Sequence, residues 1–114
     1  IDLVKDKSGK SQVRIIDYKT GKPKTSKQVE KDQLLIYQMA AQEIFGWQVA
    51  ELIFYYLTDN SQVSFLGTPQ KLEKEKLKII DTINQIQQQD FTATPNKFKC
   101  KYCDFKNICE YRQL

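Results

Sequence analysis

The stretch IIDYKTGK, from Ile15 to Lys22, decides the fold expected for this chain. Its β-branched residues favour a strand, and Gly21 predicts a turn directly after that strand. Side chains alternate between the two faces of a strand, so Asp17 and Lys19 are expected to project from the same face. A carboxylate and an ammonium group on one rigid face suit the handling of a metal ion and a water molecule.

The residues before this stretch predict a partner strand. Ile1–Lys5 and Gln12–Lys19 both have strand-like sequences, and a polar turn separates them. If the turn is centred on residues 8–11, Asp17 faces Asp2 across the hairpin, with Cβ atoms roughly 4.5–5.5 Å apart. Carboxylates so placed repel each other unless a cation lies between them. The alternatives are that the register slips, or that one aspartate is a solvated edge residue.

The rest of the chain predicts an α/β fold. A helix is expected from about Ser26 to Phe45, and Val49–Leu57 is apolar on both faces, as in a central strand. A short strand over Gln62–Leu66 and a second helix from Thr68 to about Gln89 follow. The order ββαββα predicts a mixed β-sheet of about four strands flanked by helices. We expect one domain over residues 1–114, of which 98–114 form a cysteine-rich C-terminal segment.

Two further sets of polar residues allow more than one interpretation. Gln33 and Tyr37 are four residues apart, so they share one face of the first predicted helix, and helix periodicity alone favours a surface glutamine and a core aromatic over a functional pair. A group of lysines follows the opening stretch. It predicts either a solvated loop or phosphate contacts beside the candidate site, and its members are Lys19, Lys22, Lys24 and Lys27.

The three cysteines, Cys100, Cys103 and Cys109, lie close together near the C-terminus. An odd, clustered set argues against a disulfide framework. The spacing of Cys100 and Cys103 lets two thiolates bind one metal from a tight turn, with Cys109 as a third ligand. A tetrahedral zinc or a four-iron cluster then needs a fourth ligand from outside the chain. The alternative is three reduced cysteines packed in a small knuckle.

Composition restricts the function further. The chain has 114 residues with 18 basic and 14 acidic side chains, and its net charge of +4 permits a polyanionic partner without requiring one. It contains no histidine, which excludes Ser-His-Asp triads and His-ligated zinc within it. No apolar run predicts a membrane span or a signal peptide, so we expect no membrane partner and a cytoplasmic location. Position 1 is not Met, and we infer a fragment of a longer protein.

The motifs and their order along the chain resemble a known family. They are an Asp at position 2, the stretch IDYKTG at residues 16–21, QLLIY at 33–37 and the terminal cysteines. The chain looks like the PD-(D/E)XK nuclease superfamily, and within it the RecB-like exonuclease domains. Such domains occur in helicase–nucleases of the AddA/AddB and RecB types and in Cas4-type nucleases. The resemblance spans essentially the whole chain and implies part of a restriction-endonuclease-like core.

The resemblance implies a role for each motif residue. Asp2 and Asp17 would be the acidic ligands of Mg²⁺ or Mn²⁺, with the backbone carbonyl of Tyr18 as a further ligand. Lys19 would orient or deprotonate the attacking water and offset the developing phosphate charge. The residues thought to position the lysine and the DNA are Gln33 and Tyr37.

The cysteines also match the family, with departures. Cys100, Cys103 and Cys109 match the last three of four cysteines that hold a 4Fe–4S cluster in the AddB and Cas4 groups. The first of those four, and an upstream helix that often bears a metal-proximal Glu or His, are not in this chain. Leu3 stands where the family commonly has an Arg. The cysteine site would tie the C-terminal segment to the N-terminal part of the domain.

The implied function is a metal-dependent DNA exonuclease that hydrolyses phosphodiester bonds. DNA and a helicase domain or subunit would be its partners, within a larger protein of DNA repair or recombination. Three alternatives remain: a catalytically silent DNA-binding or structural domain, a stand-alone Cas4-like nuclease, and a zinc-knuckle binding module. Metal content distinguishes the cysteine sites, because iron indicates a cluster and zinc indicates a knuckle.

Overall fold

The computed structural model describes residues 1–89 and 91–113 and has an α/β architecture. Its strands form one sheet in the order β1-β2-β3-β4, in which β2 and β3 are parallel and the other pairs are antiparallel. The predicted mixed sheet with flanking helices is therefore confirmed. The elements are β1 (Asp2–Lys5), β2 (Ser11–Lys19), α1 (Asp32–Phe45), β3 (Val49–Tyr56), β4 (Ser61–Phe65), α2 (Pro69–Gln87) and α3 (Lys97–Lys101).

The chain divides into two compact units, an N-terminal unit (Ile1–Ile80) and a C-terminal unit (Asp81–Leu114). The N-terminal unit contains the sheet and α1, and the C-terminal unit contains α3 and the cysteines. Among the parts of the chain that the structure describes, no helix is long and apolar enough to cross a membrane. The core of the N-terminal unit lies between α1 and one face of the sheet, and it consists of Val13, Ile15, Leu34, Leu35, Ala41, Val49, Leu52, Phe54 and Tyr56.

The register predicted for the β1–β2 hairpin is wrong. Asp2 lies opposite Arg14 rather than Asp17, and the side chains of Asp2 and Arg14 form an ion pair. Side chains alternate along β2, so Arg14 and Asp17 point to opposite faces of the sheet. Asp17 shares the face of the core residues Val13 and Ile15, whereas Asp2 shares the other face with Arg14.

A side-chain turn explains this register. The Asp6 carboxylate accepts hydrogen bonds from the backbone N–H groups of Ser8 and Lys10, both at 2.9 Å. Gly9 completes the turn with a φ of +81°, a conformation that glycine adopts without steric strain. Aspartate often fixes turns in this way, by bonding to the backbone two residues ahead. The turn therefore forms earlier in the sequence than predicted, and the strands pair accordingly.

Helix α1 begins at Asp32, later than predicted. The preceding segment forms an isolated turn, in which Thr25 N–H donates to Gln28 Oε1 at 3.0 Å and Val29 N–H donates to the Thr25 carbonyl at 3.2 Å. Val29 then packs against the core before the helix starts. The end of α1 agrees with the prediction, because Gly46 follows Phe45 with a left-handed φ of +64°.

The linker between β4 and α2 is fastened to α1. Gln38 Nε2 donates to the Gly67 carbonyl at 3.1 Å, and Gly67 N–H donates to Gln38 Oε1 at 2.9 Å. A Cβ atom on Gly67 would lie 2.7 Å from both Gln38 Oε1 and Leu35 Cδ2, and 2.9 Å from Leu72 Cδ2. Because those distances are shorter than ordinary Cβ contacts, a larger residue at this position would force these packed side-chain ends to move, so the close approach of linker and helix favours glycine.

Candidate active site

Asp17 and Lys19 lie at the C-terminal end of β2, beside Phe54 and Tyr56 of β3. Lys19 Nζ is 2.9 Å from Asp17 Oδ2, which confirms that the two side chains share a face. The same ammonium group lies 5.6 Å from the centroid of the Phe54 ring, a favourable distance for a cation–π contact. The lysine is therefore held between a carboxylate and an aromatic ring.

The Asp17 carboxylate has a buried oxygen that suits a hard cation. Its Oδ2 accepts no hydrogen bond from the residues that the structure describes, although Lys19 Nζ lies within ion-pair distance. The Lys19 contact is thus electrostatic, without hydrogen-bond direction, and it leaves a lone pair unsatisfied. A buried acceptor without a donor is unfavourable, and carboxylate oxygens are ligands that Mg²⁺ binds. The donor set at Asp17 therefore fits a divalent cation.

Helix α1 supplies the next wall of the site. Gln33 Nε2 donates a hydrogen bond to Tyr37 Oη at 2.9 Å, across one turn of the helix. Both side chains line a cleft of about 700 Å³ that Lys19 also lines. The structure thus brings together three of the residues singled out from the sequence, Lys19, Gln33 and Tyr37, with Asp17 beside the lysine.

The cleft carries more basic than acidic side chains. Besides Lys19, it is lined by Lys22 and Lys24, against the carboxylates of Glu30 and Asp32. Its remaining walls are Gly21, Val29, Ile36, Phe54 and Tyr56. Such a lining attracts a polyanion while it leaves apolar surface for other parts of a ligand.

The loop that carries two of these lysines is tied to the turn after β3. Thr58 Oγ1 lies 3.3 Å from the Thr20 carbonyl and 3.2 Å from the Gly21 carbonyl, and its hydroxyl donates to them. The Leu57 N–H also donates to the Lys19 carbonyl, at 2.9 Å. The start of the lysine loop is therefore anchored to the end of β3.

Asp2 and the Tyr18 side chain lie on the other face of the sheet. The Asp2 carboxylate pairs with Arg14, whose second guanidinium nitrogen is 4.0 Å from Glu51 Oε2. The Tyr18 ring is 60% exposed and packs edge-on to Tyr55, with 5.5 Å between the ring centroids. The structure does not bring Asp2 to Asp17, and within residues 1–89 and 91–113 no group of three or more Cys, Asp or Glu side chains is arranged to hold a metal.

The cysteines of the C-terminal unit are all reduced. Cys100 is buried in α3 and its Sγ accepts a hydrogen bond from Gln113 N–H at 3.4 Å, whereas Cys103 and Cys109 are half-buried. In the described part of this unit the three thiols do not form a metal-binding group. An iron–sulfur cluster bound through them stays a prediction.

Residues of β3 and early α1 that the sequence did not single out complete the cleft, notably Phe54, Tyr56 and Asp32. The signal that identifies the first two is the β2-α1-β3 order. A helical connection between parallel strands places their C-terminal ends at the same edge of the sheet. The end of β3 is therefore expected beside Lys19, where the structure places it.

Comparison with known proteins agrees with these observations. The model of the family described as the PD-(D/E)XK nuclease superfamily matches residues 1–110. No curated protein matches the chain significantly. The matched range covers the sheet, α1, the cleft and all three cysteines.

Proposed function

The chain belongs to the PD-(D/E)XK nuclease superfamily, and on that premise we propose that it hydrolyses phosphodiester bonds of DNA with Mg²⁺ or Mn²⁺. The observation that carries the proposal is the position of Lys19. Its ammonium group lies beside the buried Asp17 carboxylate and lines the same cleft as the Gln33–Tyr37 pair. Nuclease chemistry needs a cation site, a positive charge and a cleft at one place, and these residues provide them.

We propose that Asp17 and the backbone carbonyl of Tyr18 hold the cation. A bound divalent cation would polarise the phosphoryl oxygen and supply an activated water. Mg²⁺ typically uses one or two carboxylates and keeps several waters, so it does not need a closed cage of protein ligands. Asp2 is proposed as the second acidic ligand on the family resemblance alone, since its carboxylate pairs with Arg14 in the structure.

Lys19 is proposed to act directly on the reacting groups. Its ammonium would hydrogen-bond the attacking water and offset the negative charge that develops on the phosphate, where a fixed cation in a cleft is most effective. The Gln33–Tyr37 hydrogen bond fixes two polar groups on the wall that faces this cleft. Their proposed role is to position the lysine and the DNA.

The finer parts of the proposal rest on the RecB-like pattern of motifs. They are exonuclease action, a helicase domain or subunit as partner, a role in DNA repair or recombination, a cytoplasmic location, and a 4Fe–4S cluster that includes Cys100, Cys103 and Cys109. Metal analysis of the full-length protein tests the last point. Iron with visible absorbance supports the cluster, and zinc contradicts it.

The decisive test of the nuclease proposal is the substitution Asp17→Asn in the full-length protein. We expect DNA cleavage to fall by more than about 100-fold. Loss of a group that only orients a metal ligand lowers activity by up to about 100-fold, and loss of the ligand itself should cost more. DNA binding should be retained, and Glu43→Gln, an exposed carboxylate on α1, serves as the control. Addition of EDTA should abolish cleavage by the unmodified protein and Mg²⁺ should restore it. Cleavage that persists in Asp17→Asn would contradict the assignment.

One observation favours a second candidate, a catalytically silent DNA-binding domain. Asp2 and Asp17 lie on opposite faces of the sheet, so within the described residues only one of the two proposed acidic ligands, Asp17, lies beside Lys19 and the cleft. If the domain is catalytically silent, the unmodified protein should bind DNA but cleave none in either Mg²⁺ or Mn²⁺. Cleavage in either metal excludes it.

A further inference from the structure

A second cleft, of about 500 Å³, lies beside the active-site cleft in the N-terminal unit. Asp32 at the start of α1 lines both clefts, so the two adjoin there. One face of α2 provides most of the second cleft. Its lining residues are Asp32, Leu35, Lys71, Lys74, Glu75 and Lys78.

The three lysines of this cleft form a row along α2. Lys71, Lys74 and Lys78 are spaced by three and then four residues, which places them on one helix face. At a rise of 1.5 Å per residue, the row is about 10 Å long.

The acidic residues of this cleft offset only part of its positive charge, because three lysines face two carboxylates. Asp32 forms an ion pair with Lys78, and this hydrogen bond raises the pKa of that lysine. Glu75 is only 8% exposed, whereas Lys71 and Lys74 are exposed. Solvent and ligands thus meet the ammonium groups of Lys71 and Lys74, whereas Lys78 shares its charge with the exposed Asp32 carboxylate.

We propose that Lys71, Lys74 and Lys78 form a phosphate-binding row that holds the nucleic acid backbone outside the active-site cleft. The cleft that carries the row adjoins the active-site cleft at Asp32, and Lys22 and Lys24 line the latter. This inference rests on the proposed function, because it takes the substrate strand to pass through the active-site cleft. It adds that the domain holds several nucleotides on one side of the reacting phosphate. Lysine contacts to phosphate read no base sequence, so the row favours long strands over short ones without sequence preference.

DNA binding by the uncleaving Asp17→Asn chain tests the row. The test variant adds Lys71→Gln and Lys74→Gln, and the matched control adds Lys7→Gln and Lys76→Gln, which remove the same charge from the β1–β2 turn and from another position on α2. The probe is a fluorescently labelled single strand of about 16 nucleotides, compared with one of about 4. Affinity is measured by anisotropy across a series of salt concentrations.

We expect the row variant to bind the longer strand about tenfold more weakly at low salt. The slope of log affinity against log salt should fall by about 1.4, since each phosphate contact on a single strand contributes about 0.7. The gain in affinity between the short and the long strand should shrink in the row variant and stay unchanged in the control. Equal losses of affinity in the row variant and the control, or an unchanged salt slope in the row variant, would contradict the proposed phosphate-binding row.

The outcome is separate from that of the nuclease proposal. If the unmodified chain cleaves DNA but the row variant has the same salt slope as the Asp17→Asn chain, the proposed phosphate-binding row is wrong and the nuclease proposal stands. If the row variant shows the expected loss while the unmodified chain cleaves nothing in Mg²⁺ or Mn²⁺, the row is a DNA-binding site on a silent domain.

Discussion

Gln38 and Gly67 hold each other through two reciprocal hydrogen bonds, of 3.1 and 2.9 Å, in the interior of the N-terminal unit. Gln38 is only 2% exposed, so its amide replaces water for both polar groups of the Gly67 backbone. The same helix carries Gln33 and Tyr37 on the wall of the cleft. The orientation of that wall therefore depends on a contact between a side chain and the linker before α2.

The substitution Gly67→Ala should destabilise the N-terminal unit. The added Cβ would meet Gln38 Oε1 and Leu35 Cδ2 at 2.7 Å, and overpacking of this kind typically costs about 1–3 kcal/mol. Urea denaturation followed by circular dichroism measures the change in the free energy of unfolding. The control is Gly21→Ala, where a Cβ meets nothing within 4 Å and a change below about 0.5 kcal/mol is expected. Equal stabilities for the two variants would contradict the close packing at Gly67.

Asp2→Asn and Arg14→Gln separate two roles for Asp2. Both substitutions break the same half-exposed ion pair, so each should lower stability by no more than about 1 kcal/mol. Only Asp2→Asn removes the proposed metal ligand. We expect it to lower cleavage by more than about 100-fold, whereas Arg14→Gln leaves cleavage within a few-fold of the unmodified protein. Similar cleavage rates for the two variants would limit Asp2 to its structural role beside Arg14.

Gln33 and Tyr37 should act as a pair. Tyr37→Phe removes the Oη that accepts from Gln33 Nε2, and Gln33→Ala removes the donor. If they position the lysine and DNA together, the double variant should cleave no more slowly than the worse single variant. This corresponds to a coupling of about 0.5–3 kcal/mol, the range found for residues in one hydrogen-bond network. Cleavage losses that multiply in the double variant would show that the two side chains act independently.

The hairpin turn should respond to acid through Asp6. Hydrogen bonds from Ser8 and Lys10 lower the pKa of the Asp6 carboxyl below its ordinary value of 3.8. The folded turn thus binds the proton less readily than the unfolded chain, and the stabilising effect is fully present above pH 3.8. It is lost as the pH falls through the lowered folded value. Asp6→Asn should weaken the acid dependence of unfolding below pH 3.8, and an unchanged acid dependence would contradict the role of this turn.

Some features of the site follow from the sequence because local periodicity determines them. The alternation of a strand is enough to place Asp17 and Lys19 on one face, and the helical repeat is enough to place Gln33 beside Tyr37. The apolar run of β3 likewise predicts its central position in the sheet. These predictions need no knowledge of distant contacts.

Other features depend on side-chain bonds or on packing that periodicity does not contain. The hairpin register is set by the Asp6 carboxylate, which shifts the turn and separates Asp2 from Asp17. The start of α1 follows a separate turn that Val29 N–H closes onto the Thr25 carbonyl, and the Val29 side chain packs against the core ahead of the helix. A helix signal read from Thr25 and Gln28 alone therefore begins the helix too early.

The parallel pairing of β2 with β3 has a consequence for how the chain acquires its chemistry during synthesis and folding. Lys19 and Phe54 are neighbours across strands joined through the whole of α1, so a chain that ends before β3 has the Asp-Tyr-Lys motif but no cleft. Contacts so distant in sequence form late, after the entropy of closing the intervening loop has been overcome. Local unfolding of α1 would remove Gln33 and Tyr37 from the cleft wall at the same moment. The site is therefore assembled, and lost, together with the fold of the N-terminal unit.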